Sequence, residues 1–116
     1  MTKLNKDLQR ILEFELTHYH EYNMRLAAMR TRSNLLGLSQ PPVTSMYIQR
    51  IEFVCAAIER TLDKLPKEQC DMIQQVYLHR ADTLKRFATT NYMDISTAYR
   101  WKNNFFQDLA AELGYL

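Results

Sequence analysis

The chain has 116 residues, 47% of them hydrophobic, which is enough for one compact domain, or a small domain with an extension, and argues against a disordered chain. Its net charge of +2 comes from fifteen Lys and Arg against thirteen Asp and Glu, so charge alone does not indicate a nucleic-acid partner. Only two Gly and three Pro interrupt a composition rich in helix-forming residues. We therefore expect an all-α fold.

No run of about 18 apolar residues could span a membrane, and the segment MTKLNKDLQR lacks the apolar core of a secretory signal. These features predict a cytoplasmic protein with no membrane partner. Cys55 and Cys70 are far apart in the sequence and lie on apolar helix faces. They fit buried thiols in a reducing compartment better than a disulfide or a zinc site.

Apolar residues spaced three and four apart predict one long helix over residues 4–32. At about 1.5 Å per residue it would be on the order of 40 Å long, so its stripe must pack on another helix or another subunit. His18 and His20 lie two residues apart and point to different faces, which argues against a metal site. The stripe consists of Leu8, Leu12, Leu16, Tyr19, Leu26 and Met29, with Ile11 and Tyr22 beside it.

The segment over residues 33–44 carries a glycine and the pair Pro41-Pro42, which end a helix and allow the chain to reverse. A second helix follows over residues 45–65, with an apolar stripe wide enough to pack on the first. The two helices would form an antiparallel hairpin. We expect residues 1–64 to be this hairpin and to join two copies into a homodimer, the simplest closed assembly.

Three shorter helices are predicted downstream. Pro66 should lie in the first turn of the first one, where its missing N–H costs no hydrogen bond. Thr83 should begin the second, which ends near Asn91, and the Asp94 side chain should cap the third, over residues 95–113. The expected core residues of these helices are Met72, Ile73, Val76, Tyr77, Leu84, Phe87, Ala88, Ala98, Trp101, Phe105, Leu109 and Leu113.

The last two helices and the short turn between them have the spacing of a DNA-binding helix-turn-helix. The final helix would end at Gly114, which suits a left-handed C-terminal cap. Because its apolar stripe faces inward, its polar side faces solvent and is free to enter a major groove.

Residues 87–101, FATTNYMDISTAYRW, align without a gap on the region-4 helix-turn-helix of sigma factors, which this stretch resembles, and Leu65-Pro66 matches the opening of that module. Upstream, LEFELTHYHEY, SQPPVTSM and IERTLDKLP resemble the small phage late-gene transcription regulators of the RinA/ArpU type. The resemblance implies that residues 65–116 are a helix-turn-helix domain that binds double-stranded promoter or operator DNA. It also implies an activator of late genes in the bacterial host cell, with RNA polymerase as a candidate partner.

Tyr92 stands where the resembling modules usually have Gly. A left-handed backbone costs a bulky residue roughly 1 kcal/mol relative to Gly. We expect a reshaped turn in which the Tyr92 ring packs on the helix-turn-helix, so that Tyr92→Gly would lower stability.

Residues 79–104 hold five Lys and Arg against two Asp, a local positive excess around the helix-turn-helix. Arg100 is the leading base reader, because a guanidinium can bond O6 and N7 of guanine together. Ile95 could touch a thymine methyl group, whereas Tyr99 either contacts the groove or packs against the protein. The expected base-reading residues are Arg100, Ser96, Asn103, Ile95 and Tyr99, and the expected phosphate ligands are Lys85, Arg86, Lys102 and Thr83.

The sequence has no Gly-rich phosphate loop, no HExxH, no paired-Asp magnesium motif and no nucleophile motif, so we expect no enzyme activity, cofactor or metal. Two alternatives to a regulator stay open. One is a packaging component resembling a small terminase subunit, and the other is a helical adaptor that binds only protein. A dimer would favour the regulator, a ring of many copies the packaging subunit, and absent DNA binding the adaptor.

Overall fold

The structure, a computed structural model, describes residues 4–35, 37 and 46–116. These residues contain six α-helices and no strand, which confirms the expected all-α fold. A π-helical turn, Gln74–Leu78, continues the fourth helix. The helices are α1 Lys6–Thr17, α2 Tyr19–Leu35, α3 Met46–Asp63, α4 Lys67–Ile73, α5 Leu84–Thr90 and α6 Ile95–Glu112.

The helix expected over residues 4–32 is two helices, because the helical pattern is interrupted at His18. His18 has φ −94° and ψ 2°. Its ring Nδ1 lies 2.8 Å from the Phe14 carbonyl oxygen, which also accepts the His18 backbone N–H at 3.1 Å. The Phe14 carbonyl thus accepts two bonds, and the Tyr22 N–H still donates to the His18 carbonyl at 2.9 Å, so the break is confined to one residue. α2 then runs beyond the expected end, to Leu35.

α2 and α3 pack against each other as an antiparallel pair. Near one end of the pair the Tyr19 hydroxyl donates to the Glu59 carboxylate at 2.9 Å, and near the other Arg25 donates to the Tyr47 hydroxyl at 2.7 Å. The hairpin is therefore present in the described part of the chain. The turn expected at the Pro-Pro pair falls in residues 38–45, outside the described residues.

One cluster of buried side chains joins both halves of the chain. α1 packs against the π-helical turn and α6, and α3 packs against α6. At the end of α6 the Glu112 carboxylate accepts hydrogen bonds from Arg60 and Lys64 of α3, at 3.1 and 2.7 Å. The domain boundary between residues 64 and 65 stays a prediction, and the two sides share this core. Its fully buried side chains include Leu12, Leu16, Ile51, Ile58, Met72, Ile73, Phe105, Phe106 and Leu109.

Pro66 and Ile11 are placed differently from the expectation. Pro66 precedes α4 as its N-cap residue, with φ −57° and ψ 152°, and the first helical residue is Lys67. The extended ψ keeps Pro66 outside the first turn, where its missing N–H still costs no helical bond. Ile11 is 42% exposed, because α1 buries the side that carries Leu12.

Candidate nucleic-acid interface

α5 and α6 pack against each other and are joined by a turn of four residues, 91–94. Thr83 begins α5 as its N-cap, and its Oγ1 accepts the Arg86 backbone N–H at 3.1 Å. Phe87 and Ala88 form the buried side of α5. The chain therefore has the order helix, turn, helix that was expected, with α5 holding the N-terminal half of α6 in place.

The turn has a left-handed residue at Tyr92, with φ 56°. The Tyr92 N–H donates to the Thr89 carbonyl at 3.3 Å, and the Met93 N–H donates to the Ala88 carbonyl at 3.0 Å. These two bonds are the Schellman pattern that satisfies the last carbonyls of a helix. Because the Tyr92 side chain is 98% exposed, the expected reshaped turn with a packed ring is wrong.

The residues on either side of Tyr92 explain why the turn holds. The Asn91 side-chain amide donates to the Phe87 carbonyl at 2.8 Å, which adds a bond at the end of α5. Asp94 occupies the N-cap position of α6, with φ −69° and ψ 141°, but its side chain makes no capping hydrogen bond. The expected side-chain cap is therefore wrong, and the Asp94 carbonyl accepts the Thr97 and Ala98 N–H groups at 3.0 and 3.3 Å.

All five expected base readers lie on the exposed N-terminal half of α6. Ser96, Arg100 and Asn103 follow one another at four- and three-residue steps, so they form one row along the helix. Ile95 and Tyr99 are 41% and 49% exposed and lie beside this row. The five side chains all line the same groove on the protein surface.

That groove lies between α6 and the start of α1 and has a volume of about 950 Å³. Leu4 and Gln9 contribute to its wall from the side of α1. Sequence reasoning missed these two, because only the fold brings residues so distant in sequence next to α6. It also missed Asn104 and Gln107, which line the groove and which the helical spacing from Arg100 could have found.

Three of the expected phosphate ligands lie at the start of α5. Lys85 is exposed. The Arg86 guanidinium is 3.7 Å from the Asp82 carboxylate, in a pair that leaves 70% of the Arg86 side chain exposed. The Thr83 Oγ1 already accepts the Arg86 N–H, but its hydroxyl proton is still available to donate to a phosphate. These groups form a small cationic surface at the start of α5, the end away from the turn.

The structure does not bring Lys102 together with that surface, and Lys102 does not itself line the groove. The Lys102 ammonium lies over the rings of Tyr99 and Phe106, 5.6 and 5.4 Å from their centroids. Residues two apart on a helix are separated by roughly 200°, so Lys102 and Arg100 point to nearly opposite sides. Lys102 therefore stabilises packing around Tyr99 in this arrangement.

Burial raises the pKa of three groups, one tyrosine and two cysteines. Tyr77, whose ring centroid is 5.3 Å from that of Phe106, has its pKa raised by desolvation and then by Glu13. Desolvation raises the pKa of the Cys55 thiol to about 11, and it also raises the pKa of Cys70. Both cysteines are free, and at neutral pH they are thiols and not nucleophilic thiolates.

The described residues contain no group of three or more His, Cys, Asp or Glu side chains placed to hold a metal ion. Among the described helices, none is long and apolar enough to cross a lipid bilayer. Comparison of the chain with models of protein families, with curated proteins and with solved structures gave no match.

Proposed function

We propose that the protein is a sequence-specific regulator of transcription that binds double-stranded DNA, an activator of the phage late-gene type. The observation that carries the proposal is the exposed polar row of Ser96, Arg100 and Asn103 on α6, which α5 and the turn hold outward. α6 is the recognition helix in this proposal, and the face carrying that row is the reading face.

The chemistry of the reading face suits base edges in a major groove. A groove about 12 Å wide admits an α-helix, and a helix reads it with residues near its N-terminus. Arg100 can bond guanine O6 and N7 together, and Asn103 can bond adenine N6 and N7. Ser96 accepts or donates, and Ile95 offers an apolar surface to a thymine methyl group.

The start of α5 supplies contacts that position the recognition helix without reading sequence. Lys85 and Arg86 are exposed cations in the first helical turn of α5, and the Thr83 hydroxyl can donate to a phosphate oxygen. Each phosphate that such a group neutralises releases counterions, so binding should weaken steeply with salt. Lys102 would join them only if its ammonium left the rings of Tyr99 and Phe106.

A homodimer is the assembly that we propose, with the hairpin of α2 and α3 as the joining element. Met46 and Phe53 lie seven residues apart on α3, on one side of the helix, and are 86% and 45% exposed. Tyr47 lies beside them and is also exposed. We call Met46, Tyr47 and Phe53 the α3 apolar patch. Covering these side chains by a second copy would remove apolar surface from water.

The same patch also suits an assembly of many copies, so a packaging component similar to a small terminase subunit is the second candidate. Both candidates bind DNA and differ in the number of subunits. A protein-binding adaptor differs from both, because it would leave the reading face without a DNA ligand. RNA polymerase stays a candidate partner of the regulator.

Selection of duplexes from a random pool by the purified chain tests the proposal. We expect enrichment of one motif, and a mass in sedimentation equilibrium of twice that of the chain. Enrichment of no motif, with DNA binding absent even at low salt, would leave the adaptor. A mass of many chains with weak sequence preference would favour packaging.

A further inference from the structure

α6 is flanked on two opposite sides. On one side α5 packs against it, and Phe87 and Trp101 meet around a cavity of about 230 Å³. On the other side the start of α1 forms a wall of the groove, which Gln9 and Tyr99 both line. Tyr99 and Trp101 are two residues apart, so they point about 200° apart around the helix, with the row of Ser96, Arg100 and Asn103 between them. α5 and α1 therefore enclose the reading face between them.

A recognition helix in a major groove also has two neighbours, because the groove is bounded by two phosphate backbones. α5 would meet one backbone through Lys85 and Arg86. The start of α1 lies on the side of α6 where the other backbone would run. Whatever side chains α1 presents there face phosphate and not bases.

Two cationic side chains lie next to Gln9 on α1. Lys6 and Arg10 lie four residues apart and on either side of Gln9 in sequence, and both are exposed. None of the ion pairs among the described residues involves either of them. Of the two nearest acidic residues of α1, Asp7 lies about 200° around the helix from Gln9, whereas Glu13 is exposed and lies three residues after Arg10.

The start of α1 is also held in place. The Asn5 side chain caps the helix by accepting the Leu8 N–H at 2.7 Å. The Gln9 amide donates to the Leu4 carbonyl at 3.3 Å, and Leu4 is buried. A ligand that meets this wall does not have to order it first, so less conformational entropy is lost on binding.

We propose that Lys6 and Arg10 are phosphate ligands that bind the second backbone beside the recognition helix. The inference rests on the proposed function, since it assigns a further contact to the same DNA. The N-terminal half of the chain then does more than join subunits, because α1 becomes part of the DNA-binding surface.

A double variant, Lys6→Ala with Arg10→Ala, tests the inference against a matched control. The control is Arg30→Ala with Arg32→Ala, which removes two exposed cations from α2 that are also outside every ion pair of the described residues. Fluorescence anisotropy with the selected duplex is measured for each protein across a salt series. Thermal unfolding followed by circular dichroism shows that both variants are folded.

Two lost phosphate contacts should lower the slope of log affinity against log salt by about 1.8. The intact chain should then lose about tenfold more affinity than the α1 variant between about 50 and 200 mM salt, while the α2 control behaves like the intact chain. The inference would be overturned if the α1 variant and the intact chain had equal slopes, or if the α1 variant and the α2 control lowered the slope equally. Either result would leave the proposed function standing. If the intact chain bound no duplex at low salt, the proposed function would fail first, and this contact with it.

Discussion

Tyr92 and Gly114 occupy the same position in two copies of one helix-ending motif. Both have positive φ, 56° and 86°. After α6, the Gly114 and Tyr115 N–H groups donate to the Ala111 and Ala110 carbonyls at 3.1 and 2.9 Å, in the same pattern as at the end of α5. The two helices thus end in the same way. Gly114, which suits a left-handed backbone, follows α6, and Tyr92, which is bulky and aromatic, follows α5.

Tyr92→Gly should therefore raise the free energy of unfolding by about 0.5 to 1 kcal/mol. A left-handed backbone strains Tyr and not Gly, and this gain exceeds the extra entropy that Gly has in the unfolded chain. The exposed ring contributes little that could be lost. Urea unfolding followed by circular dichroism gives the difference.

Two controls separate the backbone from the side chain. Tyr92→Ala removes the ring and keeps the strain, so its stability should stay close to that of the intact chain. Gly114→Ala should lower the free energy of unfolding by about 1 kcal/mol, since an added Cβ there meets no atom within 4 Å and only the backbone is affected. A less stable Tyr92→Gly variant would mean that the turn is reshaped.

Arg100→Ala should weaken the binding free energy for the selected duplex by about 1 to 3 kcal/mol, and that for a scrambled duplex by much less. Arg100 lies in the middle of the reading face, so its loss removes discrimination between bases. Fluorescence anisotropy with both duplexes across a salt series measures the two losses.

Lys85→Ala is the matched comparison for Arg100→Ala. Lys85 lies on α5 and does not line the groove along α6, so its loss should weaken binding to both duplexes alike and reduce the salt slope by about one. If Arg100→Ala weakened both duplexes equally, Arg100 would be a phosphate ligand and the assignment of the reading face would be wrong.

Glu112→Gln should lower the melting temperature at neutral pH. Hydrogen bonds from Lys64 and then Arg60 lower the pKa of the Glu112 carboxyl from its ordinary value of 4.5. A carboxyl with a lowered folded-state pKa stabilises the protein above its unfolded-state pKa, and this contribution is lost as pH falls through the folded-state pKa. The difference between variant and intact chain should therefore vanish in acid, once the pH has fallen below the folded-state pKa.

Glu52→Gln is the control for this pH series, because Glu52 is exposed on α3 and lies outside every ion pair of the described residues. It should leave the melting temperature nearly unchanged at both pH values. A loss in Glu112→Gln that stayed constant down to acidic pH would show that packing, and not charge, links α3 to α6.

Met46→Glu with Phe53→Glu should convert the proposed dimer into monomers. Two carboxylates in the α3 apolar patch would have to lose water on association, which opposes it. Leu116→Glu is the control, because Leu116 is also exposed and apolar but lies at the other end of the sequence. Sedimentation equilibrium at micromolar concentration measures the mass of each. A monomeric intact chain, or a double variant that still dimerises, would contradict the assigned interface.

Much of the C-terminal half could be predicted because its signals are local. Thr83 caps the helix that it begins, Asn91 ends that helix, and Gly114 is left-handed after the last one. A capping group needs only its neighbours in sequence, and a helical stripe needs only its spacing. The same locality explains why the exposed polar side of α6 could be predicted from the sequence.

The features that sequence missed depend on local backbone geometry or on distant contacts. The helix breaks at His18 although the apolar spacing continues on both sides, so periodicity does not show the break. The backbone of Tyr92 accepts strain because two carbonyls at the end of α5 are satisfied in return. Gln9 joins the groove only because α1 folds back on α6, a contact between residues about ninety positions apart in sequence.

α6 runs without a break from the outward Ser96 to the buried Leu109, and Glu112 at its end is bonded to α3. The recognition helix therefore cannot turn on its own, since any rotation of its exposed half would move its buried half within the core. If two copies join through α3 and read DNA with α6, as proposed, the fold itself fixes the distance and the angle between the two recognition helices. Adaptation to half-sites that are one base pair too far apart would then fall to the DNA, through twisting or bending.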